Sequence, residues 1–162
     1  MADEKRLDKE WACLFPHEEV NLAPGEGRKI CGDVELCCRR ISVAEHRVLL
    51  FVAALGADEL DTEALGLHIW PGTHAMAHVL LRLQRQGELS GRSLLDLGCG
   101  TGFLGILARF AGCGRVVLAD CDARAREAAA INAAANGVAE AAVVEELSWT
   151  VAGEEGGGGD GD

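Results

Sequence analysis

Short apolar runs alternate with helical patterns in the second half of the chain. The run at 94–97 is broken by a single carboxylate, and a second run covers 115–119. Such runs are typical of strands buried on both faces of a parallel sheet. Helices are predicted at 103–111 and 123–136, and a third strand is predicted at 141–147. Two successive strand–helix–strand units predict parallel neighbours joined by right-handed crossovers.

The first half of the chain shows a different pattern. Residues 29–41 alternate in part between apolar and polar positions, which predicts a half-buried strand. The uninterrupted apolar run at 48–55 suits either a hairpin partner for that strand or a buried helix. Its valines and phenylalanine favour the strand.

A helix is predicted at 74–86, with Thr73 as its cap and Gly87 as its end. Its apolar positions recur at i, i+3, i+4 and i+7, which predicts one stripe facing the sheet. The stripe consists of Met76, Val79, Leu80 and Leu83.

A turn with three glycines follows the strand at 94–97. Gly98, Gly100 and Gly102 let the backbone turn sharply and let a ligand lie against it. A phosphate-binding P-loop is excluded, because no Lys-Ser/Thr pair follows the glycines. A dinucleotide fingerprint fits only in a shifted register through Gly105, and it leaves the strand-ending Asp96 without a role. An acid before the turn suits S-adenosylmethionine (AdoMet), which carries an ammonium, a carboxylate and a sulfonium but no phosphate.

A second acid ends the next predicted strand. Asp120 lies 20 residues beyond Gly100, where a carboxylate can accept both ribose hydroxyls of a bound nucleoside. The alternative is a helix N-cap or a solvated loop acid. Asp122 is the better cap for the following Ala-rich helix, which leaves Asp120 for the ligand.

Four segments together resemble class I, seven-β-strand AdoMet-dependent methyltransferases, and most closely the methyltransferase-like protein-lysine group. They are a Gly-Leu-His-Ile-Trp-Pro-Gly segment, the acid-led glycine turn, a Val-Leu-Ala-Asp strand end and an Ile-Asn-Ala-Ala-Ala-Asn-Gly helix ending. These segments occupy 66–72, 96–102, 117–120 and 131–137. The resemblance covers residues 66–150.

The resemblance implies an α/β fold, Rossmann-like and three-layered (α/β/α), with a mostly parallel sheet preceded by a small N-terminal β-hairpin. An N-terminal extension (1–65), a partial AdoMet-binding domain (66–150) and a disordered Gly/Asp-rich tail (151–162) are expected. Asp96 would organise the turn and the methionine ammonium, the backbone from Gly98 to Gly100 would face the methionine moiety, and Asp120 would hold the ribose. The implied cofactor-binding residues are Trp70, Asp96, Gly98, Cys99, Gly100, Asp120 and Trp149.

The implied reaction is methyl transfer from AdoMet to a protein lysine. A small-molecule acceptor of the same fold, or a truncated fragment that only binds cofactor or a partner, stays open. Each tryptophan would wall the pocket or belong to the core. The resembled family continues with a fourth strand that usually carries a tyrosine-containing substrate motif, whereas this sequence has no tyrosine and runs into glycines and aspartates after Trp149. No catalytic residue is therefore assigned.

Composition narrows the partners. The net charge of −11 argues against a nucleic-acid partner, because proteins that bind nucleic acid usually present a basic face, but it leaves lysine-bearing proteins open as partners.

The cysteines and histidines indicate neither disulfides nor a metal site. Seven cysteines without a C-x-x-C pair predict buried thiols, such as Cys113 and Cys121, in a reducing compartment. His74 and His78 have metal-ligand spacing but lack a third ligand, so no metal is expected. The charged N-terminus and the absence of a long apolar stretch predict a cytoplasmic or nuclear protein without a membrane partner.

Overall fold

The computed structural model describes residues 17–19, 28–31, 34–53 and 62–148 of the 162-residue chain. The described residues form two sheets, one antiparallel with four strands and one parallel with three. The antiparallel strands are β1 (His17–Glu19), β2 (Arg28–Cys31), β3 (Val34–Val43) and β4 (His46–Ala53). The tail at 151–162, and most of the N-terminal extension before β3, lie outside the described residues.

The predicted hairpin is confirmed in β3 and β4, which pair from Val43 opposite His46 to Leu36 opposite Ala53. The single strand predicted at 29–41 is wrong, because β2 and β3 pair antiparallel and the chain therefore reverses within that stretch. β1 and β2 both lie on the side of β3 away from β4.

The apolar run that begins at Val48 is a strand, as its valines indicated. Both faces of β4 are buried, since Leu50 and Phe51 point to opposite sides and are 0% and 4% exposed. Two packed faces explain why this strand does not alternate with polar residues.

The second half alternates helices and parallel strands. A 3-10 helix (Thr62–Leu67) precedes α1 (Pro71–Arg85). β5 (Ser93–Leu97), α2 (Phe103–Phe110), β6 (Arg115–Asp120), α3 (Ala123–Ala135) and β7 (Ala142–Glu146) follow. The strands pair in parallel in the order β5–β6–β7, so the two predicted crossover units and the Rossmann-like α/β class are confirmed.

The predicted start of α1 is wrong, and its predicted apolar stripe is right only in part, since Leu80 is buried and Leu83 packs against the core. The helix begins at Pro71, with Trp70 rather than Thr73 as the N-cap and no side-chain cap bond. Met76 and Val79 are 49% and 41% exposed. The helix packs mainly against α2 rather than the sheet, and the buried residues of α1 are His74, Ala77, Leu80 and Leu81.

The expectation that β5 is buried on both faces is also wrong. Leu95 and Leu97 are 55% and 52% exposed. Helices α2 and α3 pack on the opposite face of the parallel sheet, which carries Leu94, Asp96 and Leu118. Within the described residues β5 is an edge strand, and one helical layer covers the parallel sheet.

A hydrophobic core joins the two halves. Side chains from β3 and β4 meet those of α1, α2, β6 and α3 in one buried cluster. Its largest fully buried members include Leu50, Phe103, Ile106, Leu107 and Leu118. The antiparallel sheet is therefore packed directly behind the helices that follow the glycine turn. No helix among the described residues combines the length and hydropathy that a membrane crossing needs.

Candidate functional site

One cleft collects the predicted cofactor residues. Six of the seven line it, namely Trp70, Asp96, Gly98, Cys99, Gly100 and Asp120, whereas Trp149 lies outside the described residues. The other lining residues have no cofactor role in the sequence-based prediction. They are Gly66, His68, Thr73, Thr101, Phe103 and Leu104. They lie within or next to the segments at 66–72 and 96–102 that carry the family resemblance. Their position in or beside these segments could have identified them as cleft residues.

The glycine turn needs glycine for two separate reasons. Gly98, Gly100 and Gly102 have φ values of +68°, +53° and +77°, in the left-handed region that L side chains rarely adopt. A Cβ at Gly100 would also lie 2.8 Å from the carbonyl oxygen of Gly66. The turn is thereby pressed against the end of the 3-10 helix, and the two segments together form one wall of the cleft.

The backbone N–H groups of the turn are already used inside the protein. Gly98 and Cys99 both donate to the carbonyl oxygen of Ala119, at 2.8 and 3.0 Å. Gly100 donates to Oδ2 of Asp120 at 2.9 Å. A phosphate-binding turn works by pointing such groups at the anion, so this arrangement disfavours the dinucleotide alternative.

Asp96 is the last residue but one of β5 and lies beside the turn. Its Oδ2 accepts a hydrogen bond from the Gly105 N–H at 3.1 Å. The pKa of Asp96 is raised to about 6, first by burial and then by the nearby charge of Asp120, although the Gly105 hydrogen bond lowers it. Asp96 therefore bears its negative charge at neutral pH at a cost to the folded state.

Asp120 ends β6 and is 9% exposed. Besides Gly100, it accepts the Asp122 N–H on Oδ1 at 3.0 Å. Asp120 is predicted to be left for the ligand, but in the structure its carboxylate also holds the glycine turn. Asp122 is the helix cap as predicted, since its Oδ1 accepts the Arg124 N–H at 2.9 Å. Among the described residues, neither Asp96 nor Asp120 forms a salt bridge.

Trp70 lies at the mouth of the cleft. It is 43% exposed, and its indole Nε1 donates to the carbonyl oxygen of Leu65 at 3.0 Å. The alternative that Trp70 is a core residue is therefore wrong. The hydrogen bond fixes the ring where α1 begins, next to the glycine turn.

The cysteines and histidines of this region do not form a reactive or metal site. Burial, with the charges of Asp96 and Asp120, raises the pKa of the Cys99 thiol to about 12, so it stays protonated. Cys113 is buried as expected, whereas Cys121 is exposed, contrary to expectation. His74 is buried and His78 is exposed, and the described part of the chain contains no metal-binding group of His, Cys, Asp and Glu residues.

Taken together, the cleft offers negative charge and an aromatic edge. Arg126 donates to the backbone carbonyl oxygen of Asp120 at 3.1 Å, and His68 also lines the cleft, but neither carboxylate side chain forms a salt bridge within the described residues. Two such carboxylates favour a ligand that carries a positive charge. No side chain in the cleft has an evident role in activating an acceptor.

The matching family model and two similar relatives name the same family. Residues 64–155 match the family model of the ribosomal protein L11 methyltransferase, PrmA. The protein of this name from Azotobacter vinelandii is 44% identical over 73 residues, which are 45% of this chain and 25% of that protein. The protein of this name from Aliivibrio salmonicida is 41% identical over 75 residues, which are 46% of this chain and 26% of that protein. The matched part thus spans about a quarter of these relatives.

Solved structures resemble the chain more distantly. A protein from Pyrococcus horikoshii, proposed to be an RNA methyltransferase, is 24% identical with a TM-score of 0.46. The match covers 57% of this chain and 45% of that one.

Proposed function

We propose a function from one premise: the chain belongs to the family of ribosomal protein L11 methyltransferases (PrmA), whose model covers residues 64–155. The proposed activity is methyl transfer from AdoMet to a lysine of a protein substrate. The relatives are named for methylation of ribosomal protein L11, which makes that protein the first acceptor to test.

The observation that carries the cofactor proposal is the charge of the cleft. Asp96 and Asp120 both face it, while the N–H groups of Gly98, Cys99 and Gly100 are used internally. AdoMet supplies two positive charges, on its ammonium and its sulfonium, and no phosphate. Binding such a ligand offsets the cost of keeping the Asp96 carboxylate ionised in a half-buried position.

Each lining residue receives a proposed role from its position. Asp96 holds the ammonium and organises the start of α2 through Gly105. Asp120 bonds the ribose with the lone pairs that its two backbone hydrogen bonds leave. Trp70 closes one side of the cleft. Trp149, which lies outside the described residues, is proposed to contact the adenine ring of AdoMet.

The proposed reaction needs no covalent intermediate with the protein. The sulfonium is an activated methyl donor, so the protein mainly aligns donor and acceptor. A lysine acceptor has to lose its proton first, which desolvation favours. We assign no described residue to that step.

Calorimetry tests the cofactor. AdoMet is expected to bind the full 162-residue chain, and NAD is not. AdoMet should bind about tenfold more weakly at pH 5 than at pH 7.5, because about nine-tenths of Asp96 is protonated one unit below its pKa. Asp96→Asn should lose this pH dependence, whereas the matched control Glu140→Gln, which changes an exposed charge elsewhere, should keep it. Binding of NAD without AdoMet would overturn the proposal.

Radiolabelled AdoMet tests the reaction. Label is expected on ribosomal protein L11, with methyl-lysine identified by mass spectrometry. Label confined to the small-molecule fraction of a cell extract would establish the small-molecule alternative instead. AdoMet binding without any transfer would leave this chain as a cofactor-binding fragment.

A further inference from the structure

Among the residues that the structure describes, side chains rather than another strand pair with the outer edge of β4. Leu49 donates its N–H to Oδ1 of Asn136 at 2.9 Å, and its carbonyl oxygen accepts from Nδ2 at 2.6 Å. Two residues along, the N–H and carbonyl of Phe51 make the same pair of bonds with Asn132, at 2.6 and 3.1 Å. Each asparagine amide therefore mimics the peptide group of a neighbouring strand.

The geometry of helix and strand explains why two asparagines suffice. Alternate residues of an antiparallel edge strand point their N–H and C=O groups outward, about 6.8 Å apart. Residues four apart on a helix rise about 6 Å along its axis and share one face. Asn132 of α3 and Asn136, which caps the C-terminus of that helix, thus match the spacing of Phe51 and Leu49. The helix covers an edge that would otherwise be open.

The two asparagines differ in one bond. An amide nitrogen carries two hydrogens, and Asn136 gives its second to the carbonyl of Asn132, one turn back in its own helix, at 2.8 Å. Asn132 gives its second to the carbonyl of Thr101 at 2.9 Å. Thr101 lies between the glycines of the turn, lines the cleft and is 3% exposed, and Asn132 is fully buried.

We propose that Asn132 is a positioning residue for the cofactor turn: its amide ties the Thr101 carbonyl to the edge of β4, so the antiparallel sheet holds the cleft in shape. The proposal rests on the AdoMet function proposed above. Without Asn132, the buried Thr101 carbonyl loses its side-chain donor, and the turn can relax away from the geometry that places Gly100 against Asp120.

The chain supplies its own matched control. Asn132→Ala and Asn136→Ala each remove two hydrogen bonds to β4, but Asn132→Ala alone releases Thr101. Both variants should unfold at lower temperature than the wild type. At 10 °C, Asn132→Ala should raise the Kd for AdoMet about fivefold or more, whereas Asn136→Ala should leave it within about twofold.

Equal Kd values for the two variants would overturn the proposal. Asn132→Ser, which is smaller but keeps a polar group, replaces the alanine variant if that variant does not fold. Unfolding of both Asn132 variants while Asn136→Ala stays folded would mark Asn132 as a stability residue only, which also overturns it.

A second readout needs no cofactor. Amide hydrogen exchange of the Gly100 and Gly102 N–H groups reports the turn directly, because they donate to Asp120 and to the carbonyl of Cys99. Asn132→Ala should speed both exchanges more than Asn136→Ala does. If the wild-type chain fails to bind AdoMet, the cofactor proposal falls, and this measurement still decides the role of Asn132. Equal exchange in the two variants refutes that role.

Discussion

Replacing Asp96 by asparagine should stabilise the protein at neutral pH. The pKa of Asp96 is raised from 3.8 to about 6, mainly by burial. Between these two pH values the native state holds a proton that the unfolded chain releases. The free energy of unfolding therefore falls as pH rises through this window. Above about pH 6 it is lowered by the full cost of keeping the Asp96 carboxylate charged in the folded state.

The magnitude follows from the shift. A change of about two pKa units corresponds to about 3 kcal/mol. The side chain is half-buried in a cleft open to water, so we expect about 2 kcal/mol for the substitution. Asparagine keeps an oxygen that can accept the Gly105 N–H, and the hydrogen bond that starts α2 can persist.

Urea denaturation from pH 4 to pH 8 measures the effect. Asp96→Asn should exceed the wild type by about 2 kcal/mol in free energy of unfolding at pH 7.5, and the two should converge near pH 4. Glu140→Gln, an exposed substitution, should stay within about 0.5 kcal/mol of the wild type throughout. A destabilised Asp96→Asn at pH 7.5, or a gap that does not change with pH, would refute the reasoning.

Two glycine substitutions test the packing of the helices, and one cysteine-labelling experiment tests the burial of Cys99. Gly105→Ala should lower Tm by an amount equivalent to about 1–3 kcal/mol, because its Cβ would overlap a buried leucine of β6. Gly72→Ala, with nothing within 4 Å at the start of α1, should raise Tm instead, and a rise for both would contradict the packing argument. Iodoacetamide at pH 8 should modify exposed Cys121 while buried Cys99, whose pKa is about 12, stays intact. Mass spectrometry that finds Cys99 alkylated first would contradict its assigned environment.

Local signals in the sequence were enough for the parallel sheet and its turn. The acid at the end of each strand, the glycine spacing and the Asp122 cap all act within a few residues, and each has its expected place. The N–H groups of the turn were harder to assign. Glycine spacing shows where a backbone turns, but it does not show that Asp120 takes the Gly100 N–H.

Features set by distant segments escaped prediction. Asn132 and Asn136 read as an ordinary helix ending, since their partners on β4 are more than 80 residues away. The face of α1 was chosen by its largest apolar side chains, whereas the neighbouring helix accepts the small Ala77. Which side chains a helix buries depends on what packs against it, so the pattern within α1 located Leu80 and Leu83 on the packed face but not Ala77.

The two leucines that β5 turns toward water have a practical consequence. Leu95 and Leu97 lie on an edge strand, so an apolar patch and unpaired backbone groups occur together in the described part of the chain. Samples of this polypeptide should therefore remain well dispersed only when dilute. Light scattering that grows with concentration, and that subsides when lysine replaces Leu95, would identify the surface responsible for poor sample behaviour.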